Sequence, residues 1–108
     1  MPLTNKQVVE KYLQLKEKSD FKVAQERAEE YLGKNVLLKL SDEKNKKYRI
    51  LNPATNKYVS FGDIRYEDYT KHKDPVRRQA YLKRATKIKG DWKVDRYSPN
   101  NLAINILW

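Results

Sequence analysis

The chain has 108 residues, of which 24 are Lys or Arg and 14 are Asp or Glu, so its formal net charge is +10. This balance predicts attraction to nucleic acid or to acidic protein surfaces. The absence of cysteine excludes disulfides and thiolate metal sites, and the single histidine excludes a zinc site made of several histidines. No apolar run approaches the roughly 18 residues of a membrane span, and no signal peptide is evident, so we expect a soluble intracellular protein.

Two helices are predicted in residues 1–34. Thr4 precedes Gln7 at the spacing of a capping box, and the apolar residues over 5–18 lie near one side of a helix. A second helix is predicted over 20–33, where it ends at a glycine suited to the αL conformation. Because the joint between them is short, we expect an antiparallel helical hairpin.

The spacing of apolar residues along the chain changes in residues 35–62. The segments NVLLKL, KYRIL and KYVSFG are short apolar or alternating runs, and the polar sequences SDEKNK and NPATN separate them. Pro53 fixes φ at the corner of the second turn. Three antiparallel strands in a meander are therefore predicted.

Two further helices are predicted in residues 63–108. Asp74 and Pro75 are typical of a helix start, and this helix should continue to about Lys89. Ser and Pro at 98 and 99 repeat the signal and open a short apolar helix to the end of the chain. The whole pattern indicates an α+β fold in a single small domain over residues 1–108.

The first of these two helices has cations along one side. At 100° per residue, Lys83, Arg84 and Lys87 lie opposite the apolar side, which contains Tyr81, Leu82, Ala85 and Ile88. The candidate surface for nucleic acid or an acidic partner comprises Arg77, Lys83, Arg84, Lys87, Lys89 and Lys93. The alternative interpretation is an ordinary solvated helix face.

Aromatic residues are the candidate anchors for a protein interface, because Tyr and Trp dominate the energetics of many interfaces. The chain has eight Tyr and two Trp against two Phe. The candidates are Tyr66, Tyr69, Trp92, Tyr97 and Trp108.

Asp68 and His72 stand four residues apart with further carboxylates nearby, which allows a metal site or a general acid and base. No second His or Cys exists to complete a zinc site. We prefer a structural ion network, comprising Arg65, Glu67, Asp68, Asp74 and Arg78. Arg78 falls within the apolar side of its helix, so we expect it to stack or to pair with Glu67 or Asp68.

No catalytic motif is present. The three glycines are far apart and form no phosphate-binding loop, and no serine has a context typical of a nucleophile. We therefore expect no enzyme activity, no metal and no cofactor.

The string FGDIRYEDYTKHKDPVRRQAYLKRATKIKGDW, followed by YSPNNLAINILW, resembles a short uncharacterised family found mainly in large double-stranded DNA viruses of algae and protists. The shared elements are Phe61-Gly62, the Tyr66 to Thr70 segment, His72 to Asp74, the basic helix and Leu107-Trp108. The family has no assigned activity, so the resemblance supplies no functional residues.

The resemblance implies a viral origin, and small basic viral proteins are often packaged in the particle. We therefore expect a non-enzymatic virion-associated structural protein, a minor capsid or scaffold-type component that binds acidic viral structural proteins. It would be made in the host cytoplasm or viral factory before assembly. The alternative is a sequence-independent protein that binds or packages double-stranded DNA through the basic face from Arg77 to Lys93.

Overall fold

A computed structural model describes residues 3–108 of the chain. The α+β prediction is confirmed, because the chain forms two helices, then one three-stranded antiparallel sheet, and then further helices. The elements are α1 (Asn5–Lys18), α2 (Phe21–Leu32), β1 (Lys39–Leu40), β2 (Lys46–Asn52), β3 (Lys57–Asp63), α3 (Tyr69–His72), α4 (Pro75–Ala85) and α5 (Pro99–Leu102). A 3-10 turn (Asp91–Val94) precedes α5, and a π-helical segment (Ala103–Leu107) continues from it.

Polar side chains start the main helices, as the sequence predicts. Thr4 Oγ1 accepts from the Gln7 N–H at 3.2 Å while Gln7 Oε1 accepts from the Thr4 N–H at 2.9 Å, which completes the capping box. Asp20, Asp74 and Ser98 each accept a hydrogen bond from an N–H of the first turn that follows. These bonds satisfy N–H groups that have no partner within the helix.

The sheet is the predicted meander, with strand order β1-β2-β3 and Tyr48 opposite Phe61 across the central pair. The first strand is shorter than the predicted run over 35–40. The side-chain amide of Gln25 on α2 donates to the Val36 carbonyl at 3.0 Å and accepts from the Leu38 N–H at 2.9 Å. The Gln25 side chain thus supplies the hydrogen bonds that a neighbouring strand would otherwise make with this segment.

The core lies between the sheet, α2 and the C-terminal segment. Its buried apolar residues are Leu15, Ala24, Ala28, Leu38, Tyr48, Ile50, Phe61, Ile64, Leu102, Ala103, Ile106 and Leu107. Ala24 and Ala28 are fully buried on α2, and their small side chains let this helix approach the π-helical segment closely.

The two N-terminal helices are joined at Ser19 and Asp20, but α2 packs mainly on the π-helical segment and not along α1. The first helix is held to the sheet side by Leu15 and by Lys11, whose ammonium donates to the carbonyls of Ser41, at 2.7 Å, and Glu43. The short joint of the predicted hairpin is present, and α1 has few buried apolar side chains, Leu15 among them.

Helix α4 ends at Ala85, four residues before the predicted end. The side-chain amide of Asn100 donates to the Ala85 carbonyl at 3.0 Å, and Thr86 Oγ1 donates to the Leu82 carbonyl at 2.7 Å. These bonds satisfy carbonyl groups of the last helical turn, so the helix can end there. Ile88, predicted on the apolar side, is consequently exposed.

Within residues 3–108, no helix has the length and apolar character needed to cross a membrane.

Candidate functional site

A buried ion pair lies beneath the segment between β3 and α4. Lys47 Nζ on β2 donates to Asp68 Oδ2 at 2.9 Å, and both side chains are almost completely buried. Burial lowers the pKa of the Lys47 ammonium, and the facing Asp68 carboxylate opposes that effect. The pair therefore keeps a positive and a negative charge together in the interior.

The same carboxylate organises the start of α3. Asp68 Oδ1 accepts hydrogen bonds from the Thr70 N–H, at 3.0 Å, and from the Thr70 hydroxyl. The Thr70 hydroxyl oxygen accepts from the Asp20 N–H at 3.0 Å and lies 3.2 Å from the Ser19 hydroxyl. This network ties the joint between α1 and α2 to α3, so its role is structural.

Trp108 is the centre of an aromatic cluster, which we define as Tyr69, His72, Tyr81 and Trp108. The Trp108 ring stacks on Tyr81, with 4.1 Å between centroids and 11° between planes, and lies 5.2 Å from the His72 ring. Tyr69 meets His72 edge to face at 6.1 Å. The cluster joins α3, α4 and the end of the chain.

Arg78 binds this aromatic cluster through two kinds of contact. Its Nε donates to the main-chain oxygen of Trp108 at 2.6 Å, and its guanidinium lies over the Tyr69 ring at 5.0 Å. Stacking was one of the two expected environments. The other, pairing with Glu67 or Asp68, is corrected, because Asp68 is bound to Lys47.

The remaining members of the predicted ion network also have separate partners. Arg65 forms a two-bond pair with Asp63, at 3.0 and 2.7 Å. Glu67 lies 4.0 Å from Arg77. Asp74 caps α4. Each acid therefore binds a different group, and these residues form no single shared network.

His72 does not combine with Asp68 as a ligand pair. Its Nδ1 accepts from the Asp74 N–H at 2.9 Å, while its buried Nε2 has no hydrogen-bond partner among the described residues. Burial, and secondarily the nearby Arg77 charge, lower the pKa of His72. In residues 3–108 no group of three or more potential ligands could hold a metal ion.

A cleft of about 550 Å³ opens beside the aromatic cluster. One wall is a single face of α4, formed by Arg77, Ala80, Tyr81 and Arg84, which recur at helical spacing. The other walls are the end of the chain and residues 62–67, the end of β3 with the loop after it, which we call the loop over 62–67. The cleft is lined by Lys47, Gly62, Asp63, Tyr66, Glu67, Arg77, Ala80, Tyr81, Arg84, Ala103, Leu107 and Trp108.

The predicted basic residues are all exposed. Arg77 and Arg84 line the cleft, and Lys83 lies beside it in a second depression that is formed with Gln79, Leu82 and Thr86 and that shares Ala80 with the cleft. Lys87, Lys89 and Lys93 follow in the turn and in the 3-10 segment. The structure thus brings two of the six into the cleft and spreads the others along the neighbouring surface.

The predicted interface aromatics also have different environments. Tyr66 is 61% exposed at the cleft. Trp92 donates its indole N–H to the Ile88 carbonyl at 2.6 Å, and Tyr97 is half-buried against the core. Tyr69 and Trp108 belong to the aromatic cluster. Most of these side chains therefore hold the fold itself together.

Sequence reasoning did not identify Lys47, Asp63 or Ala80. Lys47 stands in an alternating strand and looks like a surface residue, so no local signal predicts its burial. The sequence does show one helix face that contains Arg77, Ala80, Tyr81 and Arg84. A small residue on such a face indicates a cleft only when the opposite wall is known.

Residues 36–85 are similar to DUF5754, a family of unknown function. The match begins just before β1 and ends with the last residue of α4. It includes Lys47, Asp68 and the α4 wall of the cleft, whereas Trp108 lies outside it. Nothing among the curated proteins or the solved structures matches the chain.

Proposed function

We propose that the protein is a non-enzymatic protein that binds nucleic acid, double-stranded DNA in particular, through the cations of α4 and the turn after it. The observation that carries this proposal is the set of exposed cations Lys83, Arg84, Lys87, Lys89 and Lys93. None of them lies within 4.0 Å of a carboxylate in the part of the chain that the structure describes.

Exposed cations without a neighbouring acid attract phosphates and release the counterions that surround DNA. Lys predominates among them, which suits contacts to the DNA backbone better than base reading by bidentate Arg. The affinity should therefore depend little on sequence and strongly on salt.

The site carboxylates support a non-enzymatic role. Asp63 is bound by Arg65, Asp68 by Lys47, and Glu67 lies beside Arg77. A general base needs a carboxylate that can take a proton from a substrate, and each of these acids already faces a cation.

Fluorescence anisotropy with a random 30-mer DNA duplex, titrated at several salt concentrations, tests the proposal. We expect a Kd in the micromolar range that weakens steeply with salt. Changing Lys83, Arg84 and Lys87 to Glu should abolish the binding. The matched control changes Lys6, Lys44 and Lys57, which are also exposed, to Glu. Both triple variants have the same net charge, so an equal loss of affinity in the two would contradict a localised DNA surface.

A second candidate is a virion-associated structural protein, a minor capsid or scaffold-type component that binds an acidic protein. The observation that favours it is an exposed apolar stripe on α1, where Val9 is 58%, Tyr12 53% and Leu13 57% exposed. Apolar side chains at this spacing are typical of a surface that packs on another protein.

Quantitative mass spectrometry of purified virus particles tests this second role. A structural component should be present at a fixed ratio to the major capsid protein, and its incorporation should fall in a Leu13→Asp variant. Particles that lack the protein would exclude the role. The host cytoplasm or viral factory would be the place of synthesis in either case.

A further inference from the structure

We infer that the cleft between α4 and the loop over 62–67 holds one unstacked nucleobase, so that the protein binds single-stranded nucleic acid there. This inference rests on the proposed function, because the phosphates of the strand would lie on the same cations. It adds a base-contacting site to a surface that otherwise contacts only the backbone.

The size and the α4 wall suit such a ligand. The cleft has a volume of about 550 Å³, within the range of small-molecule sites. Ala80 lies between Arg77 and Arg84 along the α4 wall, and its methyl group takes up little of the cleft. A ring could lie over Ala80 with Tyr81 beside it.

The facing loop supplies an aromatic surface. Tyr66 is 61% exposed, and Arg65 covers one side of its ring with the guanidinium 5.6 Å from the centroid. The other side can stack on a base, and stacking on aromatic side chains is the usual way to hold unpaired bases without sequence preference.

The charges in the cleft also fit a nucleotide. Arg84 lines the cleft, has no carboxylate within 4.0 Å in residues 3–108 and can hold a phosphate there. Asp63 and Glu67 lie on the opposite side, and carboxylates accept hydrogen bonds from the N–H groups of bases, such as the N3–H of thymine. Because Arg65 and Arg77 already offset these two acids, they need not repel the strand.

The experiment compares three 12-mer probes of DNA: oligo(dT), an abasic strand with the same number of phosphates, and a duplex. We expect oligo(dT) to bind about tenfold more tightly than the abasic strand. Ala80→Leu, which puts a larger side chain where the base would lie without changing charge, should remove that difference. Gln79→Leu is the matched control, since Gln79 is the adjacent exposed residue and does not line the cleft.

A second readout locates the base. In a Trp92→Phe variant, Trp108 is the only tryptophan and lines the cleft. Oligo(dT) should quench its fluorescence, the abasic strand should not, and Ala80→Leu should prevent the quenching.

Equal affinity for oligo(dT) and the abasic strand would overturn the inference. So would an equal effect of Ala80→Leu and Gln79→Leu. In both cases, continued duplex binding that the Lys83, Arg84 and Lys87 reversals abolish would leave the proposed function intact. Failure to bind any of the three probes would overturn both.

Discussion

Lys47 and Asp68 form an ion pair, 2.9 Å from Nζ to Oδ2, in a part of the interior where their side chains are only 2% and 1% exposed. The two residues are twenty-one positions apart in the chain. The pair joins the central strand to the start of α3, which in turn holds one side of the aromatic cluster in place.

Removing one member of this pair should be strongly destabilising. Asp68→Ala leaves a buried ammonium without its partner and deprives Thr70 of two acceptor contacts. We expect the free energy of unfolding to fall by about 3–5 kcal/mol, measured by urea denaturation. Asp63→Ala is the control, because it removes an exposed pair worth about 0–1 kcal/mol. A loss for Asp68→Ala no greater than that of the control would show that the pair is not buried in solution.

Arg78 should contribute to stability in a way that neighbouring arginines do not. Arg78→Ala removes the bond to the Trp108 oxygen and the stacking on Tyr69, for an expected loss of about 2 kcal/mol. Arg78→Leu keeps part of the packing of the stem and should lower the melting temperature less. Arg84→Ala, at an exposed position, should change stability by no more than about 0.5 kcal/mol. Identical melting temperatures for the wild type and both Arg78 variants would refute this arrangement.

The helix starts could be predicted because the chemistry that starts a helix is local. Asp20, Asp74 and Ser98 accept hydrogen bonds from N–H groups two or three residues further on. Such short-range contacts can be predicted from the order of residues alone. The meander followed for the same reason, since its turns and alternating segments are short-range patterns.

The features that escaped prediction depend on contacts between distant residues. Gln25 replaces a strand partner for residues 36–38, and Asn100 binds the end of α4. Each of these side chains looks like an ordinary polar residue until the partner is brought to it. The cleft is a further case, since its walls come from α4, from the loop after β3 and from the end of the chain.

Gly62 should tolerate no side chain. Its φ is +82°, and a Cβ there would lie 2.8 Å from Leu107 Cδ1 and 3.2 Å from Lys47 Cβ. Gly62→Ala therefore adds both backbone strain and a clash, and overpacking of this kind costs about 1–3 kcal/mol. Gly33→Ala is the matched control, because Gly33 has φ +105° and nothing within 4 Å of the added atom. Chemical denaturation should show a larger loss of unfolding free energy for Gly62→Ala than for Gly33→Ala. Equal losses would mean that the Leu107 side chain moves aside without destabilising the fold.

His72 should make stability depend on pH in the mildly acidic range. Burial lowers its pKa in the folded protein, and the neutral ring accepts the Asp74 N–H at Nδ1. The unfolded chain, with an ordinary pKa of about 6.5, takes up a proton first as the pH falls. The stabilisation is therefore complete above about 6.5 and is lost progressively below it.

The melting temperature should consequently fall between about pH 6.5 and pH 5, a window set by the ordinary histidine pKa. Asp63 has a lowered pKa because of its bond to Arg65, so its contribution is lost only at more acidic pH. His72→Asn is the control, because the amide oxygen can accept the Asp74 N–H without titrating in this window. We expect the variant to keep a flat profile from pH 6.5 to 5. A wild-type profile equally flat over that range would show that His72 protonates as readily in the folded chain as in the unfolded one.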